Sequence, residues 1–357
     1  MARAELIDDI AIQTLKRFTK NKWIDISMSF QKYFFNKLIL KKKKDEVDGG
    51  LKLNWSFQYR GIDTFRDSGV YMPDSVATRD IFIQGEVPWY KSQASYTWDV
   101  GEKSIQGASD VKLINIMEGK VHAMWNSFFQ GMEIRFWKAA GSPTSDPAEF
   151  YGLKTWVVQN STVAFGFNGG DATGFTGSGL IGKLRSTYTG LKNGTFTYQT
   201  ISDDDGLKKI AEACEKSYFE APDDYNAIDG GEPDFGIYTT FENKSRCDRL
   251  VKAQNDNLGK ELWHGRPTIK GCPIAWVPAL DTQYLADGTA NDAYDSGNPI
   301  YGINWLTTRV VFNENCNMQT SKPIMRAGMH NVRDVFLDNE CQLEVRNSRT
   351  NWVGKAA

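Results

Sequence analysis

Histidine is nearly absent from this chain: its 357 residues hold three, His122, His264 and His330. That scarcity withholds the side chain most often used as a general base near neutral pH and as a metal ligand. None of the three stands in a Ser/His/Asp, Cys/His or metal-ligand arrangement. Cysteine is sparse as well. Cys214, Cys247, Cys272, Cys316 and Cys341 are odd in number and include no CxxC, so they read as thiols in a reducing cytosol rather than as a disulfide or zinc framework. No window approaches the roughly 18 uninterrupted apolar residues of a membrane span. The first 20 residues lack the apolar run of a signal peptide. A net charge of −2, with no interleaving of basic and aromatic residues, excludes a sequence-wide nucleic-acid binder.

One motif looks like enzyme chemistry. Gly177-Ser178-Gly179-Leu180-Ile181-Gly182-Lys183-Leu184 satisfies GxGxxG and differs from a P-loop at its last position. There Leu184 replaces the hydroxyl that would hold Mg²⁺. A turn-rich stretch, residues 168–176, precedes it where both motifs need a buried strand. A glycine-rich surface loop is the better reading, with a P-loop or dinucleotide enzyme as the contrasting one. The Asp203-Asp204-Asp205 and Asp223-Asp224 clusters read as helix caps and turns rather than paired catalytic acids. No catalytic residue, cofactor site or metal site is assigned.

What the chain does have is apolar bulk, turns and a charge asymmetry. Hydrophobic residues make up 41%, charged residues 24% and aromatics 13%, which suits a folded, β-rich protein with broad contact surfaces. Residues 1–44 carry eleven Lys/Arg against four Asp/Glu, a surplus of seven, so the remainder is negative by nine. A basic arm on an acidic body can pair with neighbours or face a polyanion. Leu6, Ile7, Ile10, Ala11, Leu15 and Phe18 recur at helical spacing, and a second apolar run, residues 30–40, includes Phe34. Two short helices without companions close no core, so this segment is expected to lie on something else.

Beyond Gly49-Gly50 the pattern changes period. Leu51, Leu53, Trp55, Phe57 and Tyr59 alternate with polar residues, and a second strand is expected over residues 81–100, past Trp89. A turn-rich tip with Arg60, Arg66 and Arg79 separates them. A long two-stranded ribbon does not stabilise itself in water, so its aromatic face is expected to be covered by a neighbouring copy. Residues 110–137 predict the strongest helix, striped by Leu113, Met117, Val121, Met124, Phe128 and Met132. Short strands are expected at 156–158, 163–167, 235–239 and 273–277, and helices at 180–188, 206–219 and 242–254. Residues 305–312 and 334–345 read as late strands that pack on the long helix. No internal repeat is visible.

That order resembles the major capsid proteins of tailed bacteriophages, the Hong Kong 97-like fold shared with encapsulins. The likeness is carried by KKKKDEVDGGLKLNWSFQYR (41–60), VKLINIMEGKVHAMWNSFFQGMEIRFWKA (111–139), GLKTWVV (152–158), PIYGINWLTTRVVF (299–312) and CQLEVRNSR (341–349). It implies an α+β chain: an N-terminal arm over 1–45, an extended β-hairpin loop over 46–105, and a mixed axial domain over 146–304. Residues 106–145 and 305–357 would form a peripheral domain with the long spine helix. It further implies hexamers and pentamers closing an icosahedral head around double-stranded DNA, assembled in the host cytoplasm. A portal and decoration proteins would be further partners, and because the chain starts almost at the arm, scaffolding would be either a separate protein or unnecessary. Contacts between copies would involve Arg60, Arg66, Arg79, Trp55, Phe57, Tyr59, Trp89, Phe18 and Phe34. Some members of the family crosslink a loop lysine, but the tip here contains only arginines as basic residues.

Overall fold

The computed structural model describes residues 44–58, 81–99, 110–142, 147–160, 163–172, 189–217, 235–254, 268–269, 272–281, 296–329 and 331–357. In chain order these form β1 (Lys44–Val47), β2 (Lys52–Gln58), β3 (Phe82–Pro88), β4 (Tyr90–Asp99), α1 (Asp110–Trp137), the single turn α2 (Leu153–Trp156) and β5 (Gly194–Tyr198). Then come α3 (Lys208–Lys216), β6 (Phe235–Thr239), α4 (Phe241–Gln254), β7 (Thr268–Ile269), β8 (Cys272–Trp276) and β9 (Ile300–Asn304). The chain closes with β10 (Thr308–Asn313), β11 (Gln319–Thr320), β12 (Ile324–Met325), β13 (Val332–Val345) and β14 (Trp352–Ala356). Two compact units divide the chain. One comprises residues 1–33, 92–131 and 318–339, the other 34–91, 132–317 and 340–357.

Within the first unit, the early part of β13 pairs with β11 and β12 in antiparallel register and also with β4. β4 alternates exposed and half-covered side chains along its length, the signature of a strand with one face packed. Thr97 donates to Asp334 at 2.8 Å, and Asn339 donates to Ser92 at 3.2 Å. On α1, Met124 and Phe128 are buried four residues apart, as an amphipathic helix requires. Trp125, Phe128 and Phe129 form a ring cluster with centroids 5.5 to 6.1 Å apart.

The second unit is built on a mixed sheet of order β5-β14-β9-β6-β8-β7. β14 lies parallel to β5 and antiparallel to β9; β6 lies antiparallel to β9 and parallel to β8. Phe196, Ile237, Cys272 and Trp352 are buried on it, together with Ile210, Ala213 and Cys214 of α3. Those three α3 positions, spaced by three and one, are one helix face. A second cluster gathers Phe136, Trp137, Tyr238, Tyr301 and Trp305, whose neighbouring rings sit 5.1 to 6.4 Å apart. In this unit β10 pairs antiparallel with the end of β13 and parallel with β1.

Several expectations change. The strand expected over 81–100 breaks at Pro88-Trp89: β3 pairs with β2, while β4 leaves to pair with β13. Pro88 has no N–H with which to continue a ladder, and Trp89 turns inward to 7% exposure, donating to the Gly50 carbonyl at 2.9 Å. No strand forms at 156–158: Trp156 closes the turn α2 and Val157 caps it, with Leu153, Trp156 and Val157 all buried. Around 163–167 only one bridge forms, Gly166 with Thr195. β14 joins the mixed sheet, so residues 352–356 pair with the sheet expected for 146–304 rather than with the late strands. The arm helices before residue 44 and the expected helix at 180–188 lie outside the described residues.

Candidate functional site

Polar side chains that might do chemistry are occupied with structure. Asp205 accepts the N–H groups of Gln199 (2.7 Å) and Thr200 (3.1 Å) and pairs with Lys209 at 2.6 Å. Burial would raise its carboxyl, but the bonds from Lys209, Thr200 and Gln199 outweigh that and hold it below the ordinary range. This is the turn-forming role expected of the 203–205 cluster. Cys247 is buried, and desolvation, ahead of the nearby Asp248 charge, pushes its thiol up to about 11. At neutral pH it is therefore no thiolate nucleophile. His122 is exposed on α1. Among the described residues no three His, Cys, Asp or Glu side chains gather as a metal set. Residues 177–184, Asp223-Asp224, His264 and His330 lie outside the described residues.

Surfaces are what remain. Of the contact residues read from the sequence, Phe18, Phe34, Tyr59, Arg60, Arg66 and Arg79 lie outside the described residues. Phe57 has its backbone in β2, opposite Ile83. Trp55 and Trp89 lie in the chain's own core, at 8% and 7% exposure. The ribbon's apolar face is thus covered at its base from within. Trp55 packs on Trp156 with centroids 6.0 Å apart. Its indole also fills the space opposite Gly85, where an added Cβ would lie 2.7 Å from the ring. The opposite ribbon face carries exposed Lys52, Asn54 and Ser56, with Lys52 paired to Glu86 at 3.2 Å.

Three apolar features are exposed, and the first includes Leu51, which the alternation assigns to a covered face. At the ribbon, Leu51 is 97% and Phe82 67% exposed. In the same unit Phe241 and Trp276 form an edge-to-face pair at 5.6 Å while both remain exposed. Asp281 fixes that pair, accepting from the Trp276 indole and, at 3.1 Å, from the Phe241 N–H at the first residue of α4. An aromatic at the head of an otherwise polar helix, FENKSRCDR, was the available cue. In the other unit Ile324, Met325 and Met329 are each more than half exposed on the β12 turn. Apolar side chains grouped at a surface mark places where another molecule can be covered.

A polar lock ties strands together in the second unit. Lys91 pairs with Glu340 at 2.8 Å, and Asn313 donates to the same carboxylate at 2.7 Å. Burial would raise the Glu340 carboxyl, yet the bonds from Lys91 and Asn313 leave it lowered. The bond to Glu340 raises the Lys91 ammonium. Deeper in, Gln342 is fully buried and uses both ends of its amide. It accepts from Tyr151 (2.8 Å) and Leu343 (3.1 Å) and donates to the carbonyls of Pro88 (3.0 Å) and Glu149 (3.2 Å).

No family model and no curated protein sequence matches this chain. Solved structures do match. The cyanophage A-1(L) capsid subunit aligns over 96% of this chain and 98% of its own, with 10% identity and a TM-score of 0.60. The bacteriophage PhiM1 mature capsid aligns over 95% and 91%, with 11% identity and a TM-score of 0.50. The holo-SrpI encapsulin complex of Synechococcus elongatus PCC 7942 aligns over 97% and 94%, with 10% identity and a TM-score of 0.51. The fold is the Hong Kong 97-like capsid fold that the order of elements resembles.

Proposed function

We propose that this chain is the major capsid protein of a tailed double-stranded DNA phage, self-assembling as hexamers and pentamers into an icosahedral head. The observation that carries the reading is end-to-end correspondence with capsid subunits, over 96% of this chain for the cyanophage A-1(L) capsid. Surface chemistry supports it: among the described residues Asp205, Glu340 and Gln342 serve structure, and exposed apolar groups stand at Leu51, Phe82, Phe241 and Trp276. Closed symmetric shells set the same patches against each other many times, so modest contacts suffice. In this reading Arg60, Arg66 and Arg79 at the ribbon tip form bidentate bonds to carboxylates of a neighbour. Phe18, Phe34, Phe57 and Tyr59 supply apolar contact, and the basic residues before 45 face neighbours or packaged DNA. Portal, scaffolding and decoration proteins are the other partners, and the finished protein resides in the virion.

A second reading, a protein compartment of encapsulin type, is favoured by the match to the SrpI complex, whose score of 0.51 is comparable with that of the phage capsids. Purified particles decide between them. Nuclease-protected double-stranded DNA inside the shell supports the phage head. Particles filled with a coexpressed enzyme and devoid of DNA support the compartment, and nucleotide-dependent melting of an unassembled chain would support neither.

A further inference from the structure

β1 is held almost wholly by polar contacts at a sheet edge. It lies parallel to β10, from Lys44 opposite Val310 to Val47 opposite Asn313, and ends the strand order there. Each of its acidic neighbours meets a matched group. Asp45 pairs with Arg309 at 2.8 Å and approaches Arg346 at 4.0 Å, and Arg346 is itself fixed by Glu344 at 2.8 Å. Glu46 accepts from Asn317 at 3.0 Å, and Asp48 accepts from Asn315 at 3.1 Å. Apolar anchorage is missing: Val47 remains 39% exposed. Immediately downstream stand Gly49 and Gly50, with φ of 69° and 108°, a backbone that only glycine adopts without strain. On the far side of this joint the Gly50 carbonyl is pinned by Trp89. The segment is therefore a charged plug on a glycine hinge, seated in a socket of two arginines and two asparagines.

We infer that this socket also accepts residues 44–48 of a second copy, so that neighbouring copies are linked by exchanged β1 strands. Every contact of the plug is repeated unchanged in the exchanged arrangement, because each copy carries the same acids and the same socket. β1 itself brings a single apolar side chain, Val47, to the socket, and a re-aimed hinge needs only the two glycines to change φ and ψ. Exchange of an identical element is a low-cost route to association. Partly exposed charge pairs are screened by salt, so exchange between preformed copies speeds up as ionic strength rises. The inference rests on the assembly reading only in requiring two copies to meet.

Two differently tagged chains test it, one carrying Glu46→Cys and one Asn317→Cys, both with Cys316→Ser. They are coexpressed and oxidised, and the products are separated without reductant. A mixed disulfide of both tags, at twice the 40.2 kDa chain mass, is expected. A single chain bearing both cysteines reports whether the two positions meet at all. Crosslinking confined to that doubly substituted chain overturns exchange, and so does its failure to crosslink in either setting. Sedimentation of the same samples reads the shell separately. Particles without the mixed disulfide refute exchange alone, whereas the mixed disulfide without particles refutes the shell reading alone.

Discussion

At the scale of single residues the ribbon base gives a sharp expectation. The Trp55 indole N–H is buried with no hydrogen-bond partner, so its contribution is packing against Trp156 and the Gly85 backbone. Trp55→Ala should cost about 3–5 kcal/mol by leaving a cavity, while Trp55→Phe should cost much less. Gly85→Ala should cost roughly 1–3 kcal/mol through overpacking. Urea titrations of the isolated subunit or capsomer check all three. Gln342 was invisible in the sequence, where it is one glutamine in a β-rich run; only the structure shows that it joins four backbone groups from three segments. Gln342→Leu should destabilise by about 1–3 kcal/mol for each buried group left unpaired, less whatever relaxation recovers. The Lys91–Glu340 pair adds a pH dependence. Glu340 binds a proton less readily when folded, so its stabilisation is present above about pH 4.3, the unfolded carboxylate value, and fades as pH falls through the lower folded value. Lys91 works in the opposite sense, contributing fully below about pH 10.4 and losing that contribution as pH rises through its raised folded value. Because Lys91 is largely exposed, Glu340→Gln should lower stability by only about 1 kcal/mol near pH 7. The difference between the melting curves of the two proteins should shrink as pH falls below the ordinary carboxylate range.

At the scale of elements, period was legible where a segment buries one face against one partner, whereas the helix cap expected at 202–205 forms no side-chain cap bond. The long helix ends where it was expected, at Asp110 and Trp137, and β6 occupies 235–239 as read. Alternation also marked the ribbon's covered face at Leu53 and Trp55, while Leu51, counted on the same face, is exposed. What failed was the choice of partner. Alternation states that a face is covered and is silent on whether Trp156 of the same chain or another copy covers it. Pro88 likewise signals a strand end, but its consequence, β4 crossing to β13, depends on residues about 240 positions away. The same limit applies to Phe241 and Trp276, which lie 35 residues apart and become a patch only when Asp281 holds both. For the ribbon tip, replacing any one of Arg60, Arg66 or Arg79 by Ala should cost on the order of 2–5 kcal/mol per contact, mostly from the neighbour's carboxylate left unpaired. Particles of such variants should disassemble at lower temperature by light scattering, while the unassembled subunit melts as before. Unchanged particle stability would remove the tip from the contacts.

For the whole molecule, the account stands on association. The order of arm, ribbon, long helix, mixed sheet and late strands carried the fold at sequence identities near 10%. Removing residues 1–43 deletes most of the basic arm but spares β1, so soluble capsomers should persist while uniform closed shells are lost in electron micrographs. Normal shells from the truncated chain would show the arm to be dispensable. The central claim is tested most directly by sedimentation velocity of the purified full-length protein at micromolar concentration, with negative-stain images of the same sample. Megadalton boundaries and closed, uniform particles are the expected result. A stable, well-folded 40.2 kDa monomer would contradict the claim.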